Sequence, residues 1–326
     1  MLSMKNRFRL FFIFLFSFAG LQAQEPYLEE ITDSVNIETY TYAEKEGQKL
    51  DLDIYLPVPG AMENKPVFLY VHGGGFSVGR RDSRGIVDFC KKVARRGYAA
   101  VSISYRLTRK GTDSAFGCDC PADVKLSTFA EAVEDLQDAT FFLVQHYREL
   151  GIDPHGIILA GSSAGAETVL NAAYKPPYCY GLDSGPVAYA GVISMAGAIP
   201  DTAVITNETA IPSMFFHGTC DNLVPYGAAP HHYCKEGQPG YLMLYGPEVI
   251  AGKLRRLGKP YWFYTICGGD HAVAGTPMTD YFEEMIRFCH DYVLEKNLEL
   301  RHTIIQGSHD CDFPDYNYCG QEEKKQ

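Results

Sequence analysis

The chain has 326 residues, 46% hydrophobic and 21% charged, enough to bury a substantial core as one domain without requiring a second. Its 29 Lys+Arg against 40 Asp+Glu give a net charge of −11. That balance argues against nucleic acid or an anionic membrane surface as partner, and gives no electrostatic help in capturing a polyanionic polymer.

In chain order, residues 1–23 come first and read as a secretory signal peptide. Lys5, Arg7 and Arg9 precede an apolar run at 10–18, and Ala23 offers a small residue before a cut at Gln24. The run is well short of the roughly 20 residues a spanning helix needs, so stable membrane insertion is not expected. No cysteine follows it to carry a lipoprotein anchor. Removing the segment takes three basic and no acidic residues, which moves the net charge to −14. The expected location is secreted or periplasmic.

Residues 37–43 and 49–55 alternate apolar and polar side chains around Gly47, as a hairpin does. A β-type run at 67–71 ends in His72-Gly73-Gly74-Gly75-Phe76. Helical and strand patterns follow at 86–94 and 98–104, then a long helical periodicity at 129–150 between Ser127 and Gly151. An apolar strand at 156–160 leads into Gly161-Ser162-Ser163-Ala164-Gly165, with a helix-compatible run at 167–174. Strand-like segments recur at 187–195, 211–217 and 261–267, and helices fit 249–257 and 279–294. Alternating strands and helices predict an α/β fold with a mostly parallel central sheet flanked by helices and right-handed crossovers. The irregular segments 108–125, 175–185 and 222–246 are expected at the pocket rim, as small insertions rather than a large cap. The organisation expected is signal peptide 1–23, catalytic domain 24–302 and a polar, poorly ordered tail 303–326.

Strand, Gly-x-Ser-x-Gly and helix in succession are the context of a nucleophile elbow. Its turn is so tight that side chains two positions either side of the serine would collide. Gly161 and Gly165 fill those places, which selects Ser163 over Ser162. Three consecutive glycines after an early strand suggest main chain approaching something closely, as an oxyanion hole requires. A serine hydroxyl needs a base, and the base needs a carboxylate to fix its tautomer. Asp221 and His271 stand just beyond the ends of two later strands, where open α/β sheets place their sites. Asp270 and Asp201 remain alternatives for the acid. His217 and His290 suit core or surface roles. His231, His232 and Cys234 match no standard zinc spacing and read as loop residues; neither metal nor organic cofactor is expected.

These residues resemble the α/β-hydrolase superfamily. Within it the chain is similar to carboxylesterases related to the hormone-sensitive-lipase-like enzymes and to bacterial feruloyl and acetylxylan esterases. The resemblance is carried by the His72 to Phe76 loop, Ser104-Tyr105-Arg106-Leu107, the Ser163 elbow, His217-Gly218 with Asp221 and Val224-Pro225, and Gly269 with His271. It implies a triad of Ser163, Asp221 and His271, with Gly74, Gly75 and Ala164 supplying oxyanion donors. The lipase-like branch usually has an acid where Ser162 stands, and Ala-Pro-Glu where Thr108-Arg109-Lys110 follows the Tyr-Arg pair. These departures tilt the expectation to feruloyl and acetyl esterases, acting on a small-molecule or polysaccharide-linked ester. Two rivals are a serine peptidase of the prolyl-oligopeptidase type, for whose propeller there is no length, and a non-catalytic binding protein on the same fold. Tyr178, Tyr180, Tyr226, Tyr233, Tyr241 and Tyr245 crowd two rim segments, where they either stack on a sugar or feruloyl ring or, more simply, pack against the domain.

All ten cysteines follow the signal segment, and export permits disulfides. Cys220 and Cys267 end the strands leading to the acid and the histidine, so a bridge between them is one expectation. Cys311 with Cys319 closing the tail is another. Cys118 and Cys120 are candidates to pair with Cys179 or Cys234, while Cys90 and Cys289 sit in helical stretches as buried thiols.

Overall fold

A chain alternating apolar runs with amphipathic helices buries both by stacking helices on the two faces of one sheet. The computed structural model has this architecture; it describes residues 25–58, 63–114, 116–178, 181, 185–308, 310–313 and 316–320. The expected signal segment, Cys179 and Tyr180 therefore lie outside the described residues. β1 (Ser34–Lys45) and β2 (Gln48–Val58) form the expected hairpin. Then come β3 (Lys65–Val71), α1 (Arg84–Arg95), β4 (Ala99–Ile103), α2 (Ala122–Gln145) and α3 (Tyr147–Leu150). β5 (Ile152–Ser162), α4 (Ala164–Ala173), β6 (Gly191–Met195) and β7 (Ser213–Gly218) follow. The remainder is β8 (Ala228–Pro230), β9 (Met243–Tyr245), α5 (Pro247–Arg256), β10 (Tyr261–Ile266), α6 (Pro277–Asp280), α7 (Phe282–Arg287) and β11 (Leu300–Ile305).

Nine strands make one sheet in the order β1-β2-β4-β3-β5-β6-β7-β10-β11. Only the pairings of β2 with β1 and β4 are antiparallel; from β4 to β11 every pair is parallel. β3 shows why both faces must be covered. Val67, Leu69 and Val71 pack toward Phe129, Leu136 and Leu170 of α2 and α4, while Phe68 and Tyr70 pack toward Phe89 and Val93 of α1. Its seven residues are all buried, and after Lys65 it reads as a continuous apolar run rather than an alternation. The central strands thus hold their C-terminal ends side by side, the edge on which the site is built.

Three boundaries differ from the sequence reading. α2 starts seven residues earlier than expected, because Lys125 is drawn inward, its Nζ donating to Gly240 O at 2.9 Å. The helix expected at 279–294 divides into α6, α7 and a π-helical turn, Phe288–Leu294. The tail is not poorly ordered where it is described. β11 lies parallel beside β10, and two disulfides tie later residues back to the sheet.

Candidate active site

Ser163 sits between the last residue of β5 and the first of α4, at φ +52° and ψ −122°. A non-glycine residue there is strained, and such strain persists only where surroundings enforce it. The enforcement is visible. A Cβ on Gly161 would lie 2.3 Å from Gly165 O, and one on Gly165 would lie 2.1 Å from Val71 O. Ser163 N donates to Met195 O at 2.8 Å, and Glu167 N donates to Ser163 O at 2.9 Å. Ser162 is occupied elsewhere, its Oγ accepting from the Tyr70 hydroxyl at 3.1 Å.

The structure brings together the three residues expected from distant parts of the sequence. Ser163 Oγ lies 2.7 Å from His271 Nε2, and His271 Nδ1 lies 2.8 Å from Asp221 Oδ2. Asp221 is fully buried and its Oδ1 accepts from Leu223 N and Val224 N, each at 2.9 Å. Burial pushes this carboxyl upward, but bonding and charge from His217 and His271 outweigh it and hold the pKa well below the usual range. The arrangement can pass a hydroxyl proton to an imidazole whose tautomer a fixed carboxylate sets. The alternatives for the acid face elsewhere. Asp270 accepts from Ala272 N, capping its own turn, and Asp201 accepts from Ala203 N.

The glycine loop lies against the elbow, since a Cβ on Gly73 would come 3.2 Å from Ser163 Cβ. Gly74 (φ +121°) and Gly75 (φ +57°) turn the chain, and Gly74 O accepts from Ser77 N and Val78 N at 3.1 Å. Ala164 opens α4, where a helix has no carbonyl to give its own amide. Gly74, Gly75 and Ala164 line the same pocket as Ser163 and His271, a cavity of about 410 Å³. Phe116, Leu223 and Val224 supply apolar wall; Glu167, His231 and His232 supply polar wall.

Two of the three expected rim segments meet here, and the Cys118–Cys234 bridge joins them. No described residue of segment 175–185 lines the pocket. Neither do Tyr178, Tyr226, Tyr233, Tyr241 or Tyr245. Tyr226, for example, is buried with its hydroxyl on Thr265 and Tyr318. Tyr178, Tyr226 and Tyr233 instead make ring contacts within the protein, with Tyr189, Phe263 and Phe313 respectively.

The other bridges correct two expected pairings. Cys220 bonds to Cys311 rather than Cys267, and Cys267 bonds to Cys319. Each catalytic loop is therefore stapled to the tail, not to its neighbour. Cys90 and Cys289 are buried free thiols as expected; Cys120 is a third, left out of the bridge its neighbour Cys118 makes.

The sequence reading assigns His217 a core or surface role and His231 a loop role, and Glu167 none. His217 is the next-to-last residue of β7, with Nε2 donating to Val224 O at 3.0 Å and lying 3.3 Å from Asp221 Oδ2. Its place four residues before Asp221 was the available signal. Glu167 and His231 are buried polar residues in the pocket wall; the His231-His232 pair stands out in the sequence only as a metal spacing, and Glu167 only as the start of a helical run. Among the described residues no cluster of three or more His, Cys, Asp or Glu could hold a metal, and no helix is long and apolar enough to cross a membrane.

Parts of the chain are similar in sequence to known families and proteins. The family described as BD-FAE matches residues 52–177, and the family Phospholipase/Carboxylesterase matches residues 123–235. Gut esterase 1 of Caenorhabditis elegans is 30% identical over 118 residues, 36% of this chain and 20% of that protein. Lipase 2 of Moraxella sp. is 30% identical over 152 residues (44% and 31%), and carboxylesterase NlhH of Mycobacterium tuberculosis 28% over 136 (42% and 37%). The matches thus span about a fifth to a third of these curated relatives. The paraoxon-phosphorylated structure of Thermogutta terrifontis esterase 2 superposes with a TM-score of 0.56 at 20% identity, covering 80% of this chain and 95% of that one. That likeness is one of fold.

Proposed function

We propose that this chain, which has the fold of an α/β hydrolase and is similar to carboxylesterases over part of its length, is a serine esterase with Ser163 as nucleophile. His271 takes the Ser163 proton as the oxygen attacks the ester carbonyl, then delivers it to the leaving alcohol. Asp221 holds the imidazole with its Nδ1 proton inward, leaving Nε2 for Ser163. The oxyanion is received by amides of Gly74, Gly75 and Ala164. Water then releases the acyl group by the same proton path in reverse. The observation carrying this reading is the unbroken chain of contacts Ser163–His271–Asp221, at 2.7 and 2.8 Å.

The substrate is a short acyl or feruloyl ester carried on carbohydrate, a reading supported by the resemblance to feruloyl and acetylxylan esterases and by a pocket sized for one such group. Secretion or a periplasmic location is supported by the signal-like residues 1–23 and by three disulfides, which persist in oxidising compartments. A fluorophosphonate probe tests the chemistry: wild type is labelled and Ser163→Ala is not. Labelling of Ser163→Ala would place the nucleophile elsewhere. A screen of p-nitrophenyl acetate, acetylated xylan, feruloylated oligosaccharides and aminoacyl anilides tests the substrate class, with turnover of anilides alone marking a peptidase.

A further inference from the structure

Glu167, His231 and His232 line the pocket without a part in the proton path, and the first two are almost fully buried. Glu167 lies in the first turn of α4, four residues after Ser163, and is 2% exposed. His231 comes from the rim segment stapled by Cys118–Cys234 and is 1% exposed. Its Nε2 stands 3.5 Å from Glu167 Oε1, too far for a good hydrogen bond. Glu167 Oε1 and His231 Nδ1 each have no hydrogen-bond partner. Buried groups left in that state destabilise a fold and are uncommon without a reason. Both line the cavity that holds Ser163 and His271. The ring of Phe116, edge-on to His231 at 5.1 Å, together with Leu223 and Val224, makes the adjoining wall apolar.

We propose that Glu167 and His231 form a hydroxyl-recognising subsite, so that the preferred ester bears a hydroxyl group on its acyl or its alcohol portion within their reach. The inference rests on the esterase reading above and narrows its substrate. Both side chains are already closed off from water, and a plain alkyl group placed beside them leaves both with nothing to bond. A hydroxyl accepts one hydrogen bond and donates another, which matches a protonated carboxyl beside a neutral imidazole. Burial, aided by the charge of Asp221, raises the Glu167 carboxyl well above its usual value, with Lys125 opposing. Burial likewise lowers His231 well below the usual histidine range. Two neutral groups favour a neutral polar substituent over an ammonium, which would call for an ionised carboxylate. Sites built to bond a substrate hydroxyl discriminate strongly against analogues lacking it, because their polar groups are then stranded.

The test uses the full chain and two matched ester pairs. p-Nitrophenyl 3-hydroxybutyrate against p-nitrophenyl butyrate places the hydroxyl on the acyl side; 2-hydroxyethyl butyrate against ethyl butyrate places it on the alcohol side. The readout is the ratio of kcat/KM within a pair, compared between wild type and variants so that intrinsic reactivity cancels. Glu167→Leu and His231→Leu should each lower the hydroxyl preference in one pair by about tenfold or more, while Glu167→Gln retains it within about threefold. Equal loss on both members of both pairs, or no change in either ratio, would overturn the subsite. Should Glu167→Leu not fold, His231→Leu and Glu167→Gln still decide. If wild type hydrolyses none of the four esters and a phosphonate leaves Ser163 unlabelled, the esterase reading itself fails. Turnover without a hydroxyl-dependent ratio overturns the subsite alone.

Discussion

The two halves of the site are held in place by different means. On the nucleophile side, the Ser163 elbow and the glycine loop are fixed by backbone packed at contact distance, with Gly161, Gly165 and Gly73 leaving no room for a side chain. On the acid–base side, Asp221 and His271 stand on loops beyond β7 and β10 that also pack closely, a Cβ on Gly218 falling 2.1 Å from Gly269 O, but these loops carry long-range cross-links in addition. Cys220 adjoins Asp221 and is bridged to Cys311; Cys267, four residues before His271, is bridged to Cys319. The first half is fixed by close packing without a covalent tie. The second adds covalent closure across 91 and 52 residues to its packing, and is the half that reducing conditions can loosen.

The largest effect should come from Ser163→Ala, with kcat for p-nitrophenyl acetate falling by about 10⁶, as removal of a serine nucleophile does elsewhere. Next, replacing Cys311 and Cys319 together by Ser removes two closures worth about 4 kcal/mol each on loop-entropy grounds, read as a lower urea midpoint. Hydrogen exchange then sharpens the contrast: residues 218–224 and 267–271 should lose protection while 161–168 keep it. Uniform loss across both would erase the distinction between the halves. Gly165→Ala attacks the other half, forcing a methyl onto Val71 O at a cost of about 3 kcal/mol, without loosening 267–271.

His217→Leu should have a smaller, pH-dependent effect. Asp221 is held below its usual pKa, so its ionised form contributes stability above the unfolded value of about 3.9, lost as pH falls through the lower folded value. Without His217 the carboxyl pKa rises, so the stability gap between wild type and variant should be full at pH 7 and shrink below pH 4. A gap independent of pH would make His217 a packing residue only. Smallest of all, Glu167→Gln should raise Tm by about a few degrees at pH 8 and change it little at pH 4.5. The Glu167 carboxyl is raised in the fold, so its burial costs most where the unfolded chain would ionise it.

The same contrast explains what was legible. The elbow, the glycine loop and the strands feeding them are short-range patterns, and the sequence placed them within a few residues. Asp221 and His271 could be chosen because both follow strand ends, a topological rule rather than a local one. Cysteine pairing could not be read: Cys220 and Cys267 do end adjacent parallel strands, yet the tail supplies their partners. β11 was missed because residues 300–305 pair with only one neighbour and carry exposed side chains, so their pattern lacks the apolar run of a buried strand. Glu167 and His231 come together only when a rim segment folds over α4, and no spacing in the chain encodes that meeting.

The crossed order of the two tail bridges bears on biosynthesis. Cys220 and Cys267 leave the ribosome before either true partner exists, and strand pairing sets their loops side by side, with Cys220 N on Gly269 O at 2.9 Å. An oxidant acting before Cys311 and Cys319 are made meets both thiols without their partners. Maturation then calls for oxidation delayed until the later cysteines arrive, or for thiolate attack that reshuffles a premature bond, over seconds to hours depending on the isomerase at hand.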